Sequence, residues 1–273
     1  MTPSTRELKT SVDTHGKMSD FVTNLQNEIV IALEVLEGEG SFHRDAWTRE
    51  EGGFGTSCVL QKGKVFEKAG VNVSIIKSVA PPSMIQQMRA SRIPSLSASS
   101  QYDMAAAGIS VVIHPHNPHS PTVHLNYRYF ELLDTNGVVA WWFGGGSDLT
   151  PAYVYEEDCV HFHKMLKDAC DKHDASYYPR FKKWCDEYFT NTHRGESRGI
   201  GGIFFDDLDT KSPEQLFDFV ADCGNAFIKQ YMPIVEKRKN MEFTPEQKEW
   251  QQLRRGRYVE FNLVNSKIKM IGS

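Results

Sequence analysis

Four of the ten histidines in this 273-residue chain, His114, His116, His119 and His124, fall within eleven residues, separated by Pro115, Pro118 and Pro121; Asn126, Tyr127 and Arg128 follow at once. If the flanking segments are strands, a period of two places Ser110, Val112 and His114 on one face, and His124, Asn126 and Arg128 together on a face of the next. A hairpin-like return then gathers a hydroxyl, imidazoles, an amide and a guanidinium into one patch. Imidazole titrates near neutral pH and can move a proton, whereas a guanidinium grips a carboxylate bidentately. The patch suits an anionic organic substrate undergoing proton transfer. Two plainer readings stand beside it: clustered histidines also bind metals, and any one loop histidine is more often bonded to backbone. His116 and His119, next to prolines in the turn, are the expected bystanders.

Two further segments carry candidates. From Trp141 a bulky apolar strand opens into Gly144, Gly145 and Gly146, followed by Asp148 and Pro151. Glycines let backbone approach a ligand closely. An acid at that strand end could accept hydrogen bonds from a substrate's N–H groups and stabilise developing positive charge; alternatively it caps the turn at Leu149-Thr150-Pro151. The stretch from Thr192 to Leu208 combines His193, Arg194, Glu196, Arg198 and the pair Asp206-Asp207. Arg194 and Arg198 fit contacts to substrate carboxylates, and surface ion pairs with the neighbouring acids explain them equally simply.

The elements that must position these residues are readable in outline. Phe21, Leu25, Ile29, Leu33 and Leu36 recur at helical spacing from about Ser19, and Gly38 and Gly40 end that helix. Ser212-Pro213-Glu214-Gln215 starts a second long helix with a capping box, its buried stripe being Leu216, Phe219, Val220, Cys223, Phe227 and Tyr231. Thr244-Pro245-Glu246-Gln247 repeats the signal, and a further helix spans Glu156 to Asp171. Residues 56–60, 70–78, 109–114, 123–131, 138–143 and 258–264 read as strands, and Ala90–Ser100 as a mobile loop. Consecutive strands around 109–143 imply antiparallel neighbours. The pattern predicts an α+β fold, one large mainly antiparallel β-sheet flanked on both faces by α-helices, in a single domain over 1–273.

At 40% hydrophobic the chain can bury a sizeable core, and its net charge of -4 argues against a nucleic-acid partner, leaving any anion to a few placed arginines. Five widely spaced cysteines without CxxC suit reduced thiols. No window resembles a membrane span, and the N-terminus lacks a secretory signal, so a cytoplasmic protein is expected. The Gly144–Gly146 run lacks the companions of a dinucleotide site.

Together these segments, with 51–74 (EGGFGTSCVLQKGKVFEKAGVNVS) and 254–264 (RRGRYVEFNLV), closely resemble the oxygen-dependent coproporphyrinogen oxidase family over roughly residues 20–264. The resemblance implies oxidative decarboxylation of two propionates of coproporphyrinogen III to vinyl groups, with molecular oxygen as co-substrate, no organic cofactor, and a homodimer. Residue by residue, Ser110, Asn126, Tyr127 and Arg128 match substrate-binding positions, His124 the proton donor, and Asp148 an acid contacting pyrrole nitrogens. His114, His124, His163 and His193 match histidines described as metal ligands in bacterial members, so a divalent metal is optional. Phe54 interrupts a run that is usually glycine. After Val264 the chain departs from the family pattern, which continues through a Gly-rich stretch with a substrate-contacting arginine. A porphyrinogen-binding form with impaired catalysis is therefore the alternative, and a His-ligated metalloenzyme of another class the third reading.

Overall fold

The computed structural model describes residues 13–191 and 194–271, with side chains described as far as Phe261. The chain runs α1 (Thr14–Glu37), β1 (His43–Thr48), β2 (Phe54–Gln61), β3 (Phe66–Val79), α2 (Pro82–Ser91), β4 (Asp103–Pro115), β5 (Thr122–Asp134), β6 (Gly137–Thr150), α3 (Glu156–Asp171), α4 (Tyr177–Tyr188), two-residue strands β7 (Thr190–Asn191) and β8 (Glu196–Ser197), β9 (Gly201–Leu208), α5 (Pro213–Arg238) and α6 (Pro245–Ile271). One sheet contains seven strands in the order β1-β2-β3-β4-β5-β6-β9, every neighbouring pair antiparallel. The fold is α+β, as the segment pattern implies.

Strand alternation sorts the sheet into two faces. Ile109, Val111 and Ile113 of β4 and Val123, Leu125, Tyr127 and Tyr129 of β5 point to the main core. There they meet the apolar stripes of α1 (Val22, Leu25, Ile29, Leu33), α3 (Phe162, Leu166) and α5, whose expected stripe from Leu216 to Tyr231 is buried throughout. Each such large side chain contributes about 1.5–3 kcal/mol on leaving water. Among the described residues, the opposite face is covered at its ends. At one end α2 packs Ile85 and Met88 over Leu132, with Phe130 and Trp142 stacked 4.4 Å apart beside them. At the other, α6 brings Tyr258 edge-on to His114 and Phe261 against Phe189. The uncovered strip between them is a cleft.

The helix starts follow the capping residues. Asp13 accepts the Gly16 N–H at 2.7 Å, so α1 begins before Ser19. Ser212 and Gln215 form the expected capping box, and Thr244 with Gln247 repeats the reciprocal bonds at 2.8 and 3.3 Å. That second cap explains a correction. Residues 258–264 are not a strand but the middle of α6, because Gln251, Tyr258 and Phe261 recur at helical spacing on one buried side and the helix propagates from its cap through the β-branched and aromatic residues. Residues 265–271 continue this helix. The interval Ala90–Ser100 is also more ordered than a free loop: it begins inside α2, Leu96 is buried, and the Ser97 N–H donates to the Tyr102 hydroxyl at 3.0 Å. Among the described residues, no helix is long and apolar enough to cross a membrane.

Candidate active site

The cleft floor is set by register. Ser110 pairs with Asn126, Val112 with His124 and Gly108 with Arg128 across β4 and β5; His124 pairs with Asp148, Asn126 with Gly146 and Arg128 with Gly144 across β5 and β6. The period of two therefore brings Ser110, His124, Asn126 and Arg128 onto one face. They line a chamber of about 430 Å³ together with Tyr188, Phe189, Arg198, Phe204, Tyr258 and Phe261. A wider chamber of about 750 Å³ adjoins it, sharing Ser110, Asn126 and Arg128 and continuing beneath α2 to Arg92, Trp142 and Asp206.

The glycines of 144–146 do not end β6 but lie within it, and the strand runs on to Thr150. Asp148 consequently caps no turn. It sits inside the strand, its side chain 3% exposed, and both oxygens are engaged: Oδ1 accepts His124 Nδ1 at 2.8 Å and Oδ2 accepts Arg198 Nη2 at 2.6 Å. Burial pushes the Asp148 carboxyl upward, but Arg198 and His124 outweigh it and hold the group below the ordinary carboxylate range. An ionised Asp148 can only accept, so His124 Nδ1 carries the donated proton and Nε2 is the ring nitrogen left for other partners. Asp148 lines neither chamber, and its reach into the cleft is through His124.

Arg198 is equally buried. Its guanidinium stacks over Phe189 at 3.8 Å, Tyr258 at 4.6 Å and Phe261 at 5.0 Å, an aromatic collar that desolvates it against Asp148. Its charge is spent on the site's own carboxylate. Arg194 points elsewhere, to Glu260 of α6, while Glu196 meets Arg254 and Arg257. These ion pairs tie α6 to the 194–198 segment, so the helix that supplies Tyr258 and Phe261 is fastened beside Arg198.

Tyr127 is not in the cleft. Standing between Asn126 and Arg128, it must face the other way, and it is 0% exposed in the main core, stacked on Phe205. The bystanders lie outside the site: His119 Nδ1 meets the Tyr155 hydroxyl at 2.8 Å, and His116 packs against Phe243. Phe54 opens β2, half-exposed, and lines neither chamber.

The described metal candidates do not assemble. His114 Nδ1 lies 3.1 Å from Thr122 Oγ1, and both ring nitrogens of His163 are occupied, by the Tyr178 hydroxyl at 3.0 Å and the Ile200 carbonyl at 3.1 Å. His193 lies outside the described residues. Among those described, no three His, Cys, Asp or Glu side chains converge to hold an ion.

Sequence reasoning missed Arg92 and Asp206 as cleft residues. Arg92 stacks over Trp142 at 4.4 Å and pairs with Asp207 and, at 2.7 Å, with Asp209. Asp206 pairs with Arg128 at 2.8 Å. The only sequence signal was the adjacent acids after an apolar run; their partners Arg128 and Arg92 are 78 and 115 residues distant, beyond local patterning.

Comparison with known proteins gives the family. The family model described as Coproporphyrinogen III oxidase matches residues 17–272. The Oxygen-dependent coproporphyrinogen-III oxidase of Drosophila melanogaster is 55% identical over 249 residues, covering 91% of this chain and 64% of that protein. The mitochondrial Oxygen-dependent coproporphyrinogen-III oxidase of Homo sapiens is 52% identical over 252 residues, 92% of this chain and 56% of the relative. Coproporphyrinogen-III oxidase 1, chloroplastic, of Arabidopsis thaliana is 52% identical over 272 residues, covering 97% and 68% respectively. The chain thus spans between 56% and 68% of the length of these relatives. With a family match that runs through the cleft-lining strands and both helices above them, this chain belongs to the coproporphyrinogen III oxidase family.

Proposed function

We propose that this protein catalyses the oxygen-dependent decarboxylation of two propionate groups of coproporphyrinogen III to vinyl groups, giving protoporphyrinogen IX on the route to heme. The observation that carries the reading is the pairing, in one cleft, of a proton-moving His124 backed by buried Asp148 with an Arg128 whose exposed ion pair with Asp206 can yield to a substrate carboxylate. The two adjoining chambers, of about 430 and 750 Å³, are on the scale of a large ligand.

Each propionate loses carbon dioxide and one hydrogen from its β-carbon, and the electron pair freed from the departing carboxylate becomes the second vinyl bond. Two electrons pass to oxygen, the co-substrate; no organic cofactor takes part. Reduced oxygen needs protons, and His124 moves them through Nε2 while Asp148 holds Nδ1–H. Arg128, with Asn126 and Ser110 beside it, binds a propionate. Phe189, Tyr258 and Phe261 supply an apolar wall of the small chamber beside the reacting carbon.

We further propose that the protein works as a homodimer in the cytoplasm. The dimer rests on the family resemblance, and the compartment on the five free thiols, although relatives bear mitochondrial and chloroplastic names. Light scattering of the purified protein tests the first, and fractionation the second.

The function is tested by oxygen uptake and protoporphyrinogen formation with coproporphyrinogen III, with and without a chelator. Turnover unchanged by the chelator is expected. Tight substrate binding without oxygen consumption would instead mark a porphyrinogen-binding form.

A further inference from the structure

The two chambers of the cleft meet at Arg128, whose guanidinium is shared between two partners. Nη1 donates to Asn126 Oδ1 at 2.9 Å, and Nη2 lies 2.8 Å from Asp206 Oδ2. The side chains of Arg128 and Asp206 are 39% and 35% exposed, so their ion pair is solvent-screened and exchangeable. The sheet leaves space for it at Gly144, where a Cβ would stand 2.6 Å from Asp206 Oδ1 and 2.9 Å from Arg128 Cζ.

Asp206 is held from behind. Its Oδ1 accepts the Asp207 N–H at 3.0 Å, fixing the carboxylate near the end of β9 while it lines the wider chamber. An ionised carboxylate offers about four acceptor positions and no donor. Asp206 therefore has acceptor capacity beyond these two contacts, and it faces the space where a macrocycle would lie. The other acids are placed differently: Asp148 is buried with both oxygens engaged, and Asp207 is held by Arg92.

Resting on the function proposed above, we propose that Asp206 determines specificity for the reduced macrocycle, accepting hydrogen bonds from its pyrrole N–H groups while Arg128 passes to a propionate. A porphyrinogen carries four N–H groups on a ring made flexible by saturated bridges, so several donors can converge on one anion. The oxidised porphyrin is flat and has two N–H groups and two imine nitrogens, whose lone pairs oppose an acceptor-only carboxylate and leave it unpaired. The exchange also requires both functions in one ligand. A carboxylate that takes Arg128 from Asp206 strands an anion unless it brings N–H donors with it.

Oxygen-free titration calorimetry, which reads binding without turnover, tests this with coproporphyrinogen III and coproporphyrin III. The wild type is expected to prefer the porphyrinogen about tenfold or more, the scale of one unsatisfied polar contact. Asp206→Asn supplies an amide that can also donate to an imine nitrogen, and Asp206→Ser removes the charge by a second route; either should bring the preference close to unity. Asp209→Asn, which removes an acid outside the cleft lining, should keep it. Equal weakening of both ligands in the Asp206 variants, with the preference intact, would reduce Asp206 to a structural partner of Arg128 and overturn the proposal while leaving the proposed function standing. A wild type that binds neither macrocycle would remove the function and this selection together.

Discussion

His124 Nδ1 stands 2.8 Å from Asp148 Oδ1, and the buried acid, which lines neither chamber, reaches the cleft through the imidazole. Asp148→Asn keeps the shape but can present an N–H to the ring and favour the wrong tautomer. The expected result is a fall in kcat of about 10²–10⁴-fold with little change in KM. Steady-state oxygen uptake separates the two constants, and a KM that rises as far as kcat falls would place Asp148 in direct substrate contact instead.

Arg198 offsets the buried charge of Asp148, and both side chains are under 5% exposed. Arg198→Met leaves that carboxylate with His124 as its partner in an apolar surround, a loss of about 3–5 kcal/mol. The double variant Asp148→Asn/Arg198→Met removes the orphaned charge and should lose less than the sum of the two single changes. Urea denaturation measures all three; strictly additive losses would mean the pair is not coupled.

The cleft face was legible because strand period puts His124, Asn126 and Arg128 on one face and a hairpin-like return adds Ser110, and the capping residues at Ser212 and Thr244 located two helices. The same period sends Tyr127 to the core, a consequence available from the sequence but obscured when Asn126-Tyr127-Arg128 is read as one binding unit. The contact between His124 and Asp148 was not legible, since it depends on the register fixed by the Asp134–Gly137 turn. The second arm, Arg198 to Asp148, spans 50 residues and depends on how the 194–198 segment is tied to α6. Residues 258–264 misled because β-branched and aromatic content mimics a strand when the helix is stabilised by its tertiary face.

Tyr127 separates core from site. Tyr127→Phe retains the ring that stacks on Phe205 and should leave KM unchanged, whereas Tyr127→Ala empties a core position and should cost about 3–5 kcal/mol. Kinetics and thermal unfolding of the two variants check this together. A KM raised in the phenylalanine variant would mean that the hydroxyl reaches the substrate.

His114 links the site's end to pH. Burial, aided by the Arg255 charge, pushes its pKa down to about 4, against roughly 6.5 in an unfolded chain. Between those values the unfolded chain binds a proton that the folded one refuses, so stability rises with pH across this window and is lost as pH falls from 6.5 towards 4. The contribution is at most about 3 kcal/mol, reduced by the ring's partial exposure. His114→Asn keeps a polar group beside Thr122 Oγ1 but cannot titrate. Urea midpoints measured from pH 4.5 to 7.5 should climb more steeply in the wild type than in this variant, and parallel curves would show that His114 is not the group responsible.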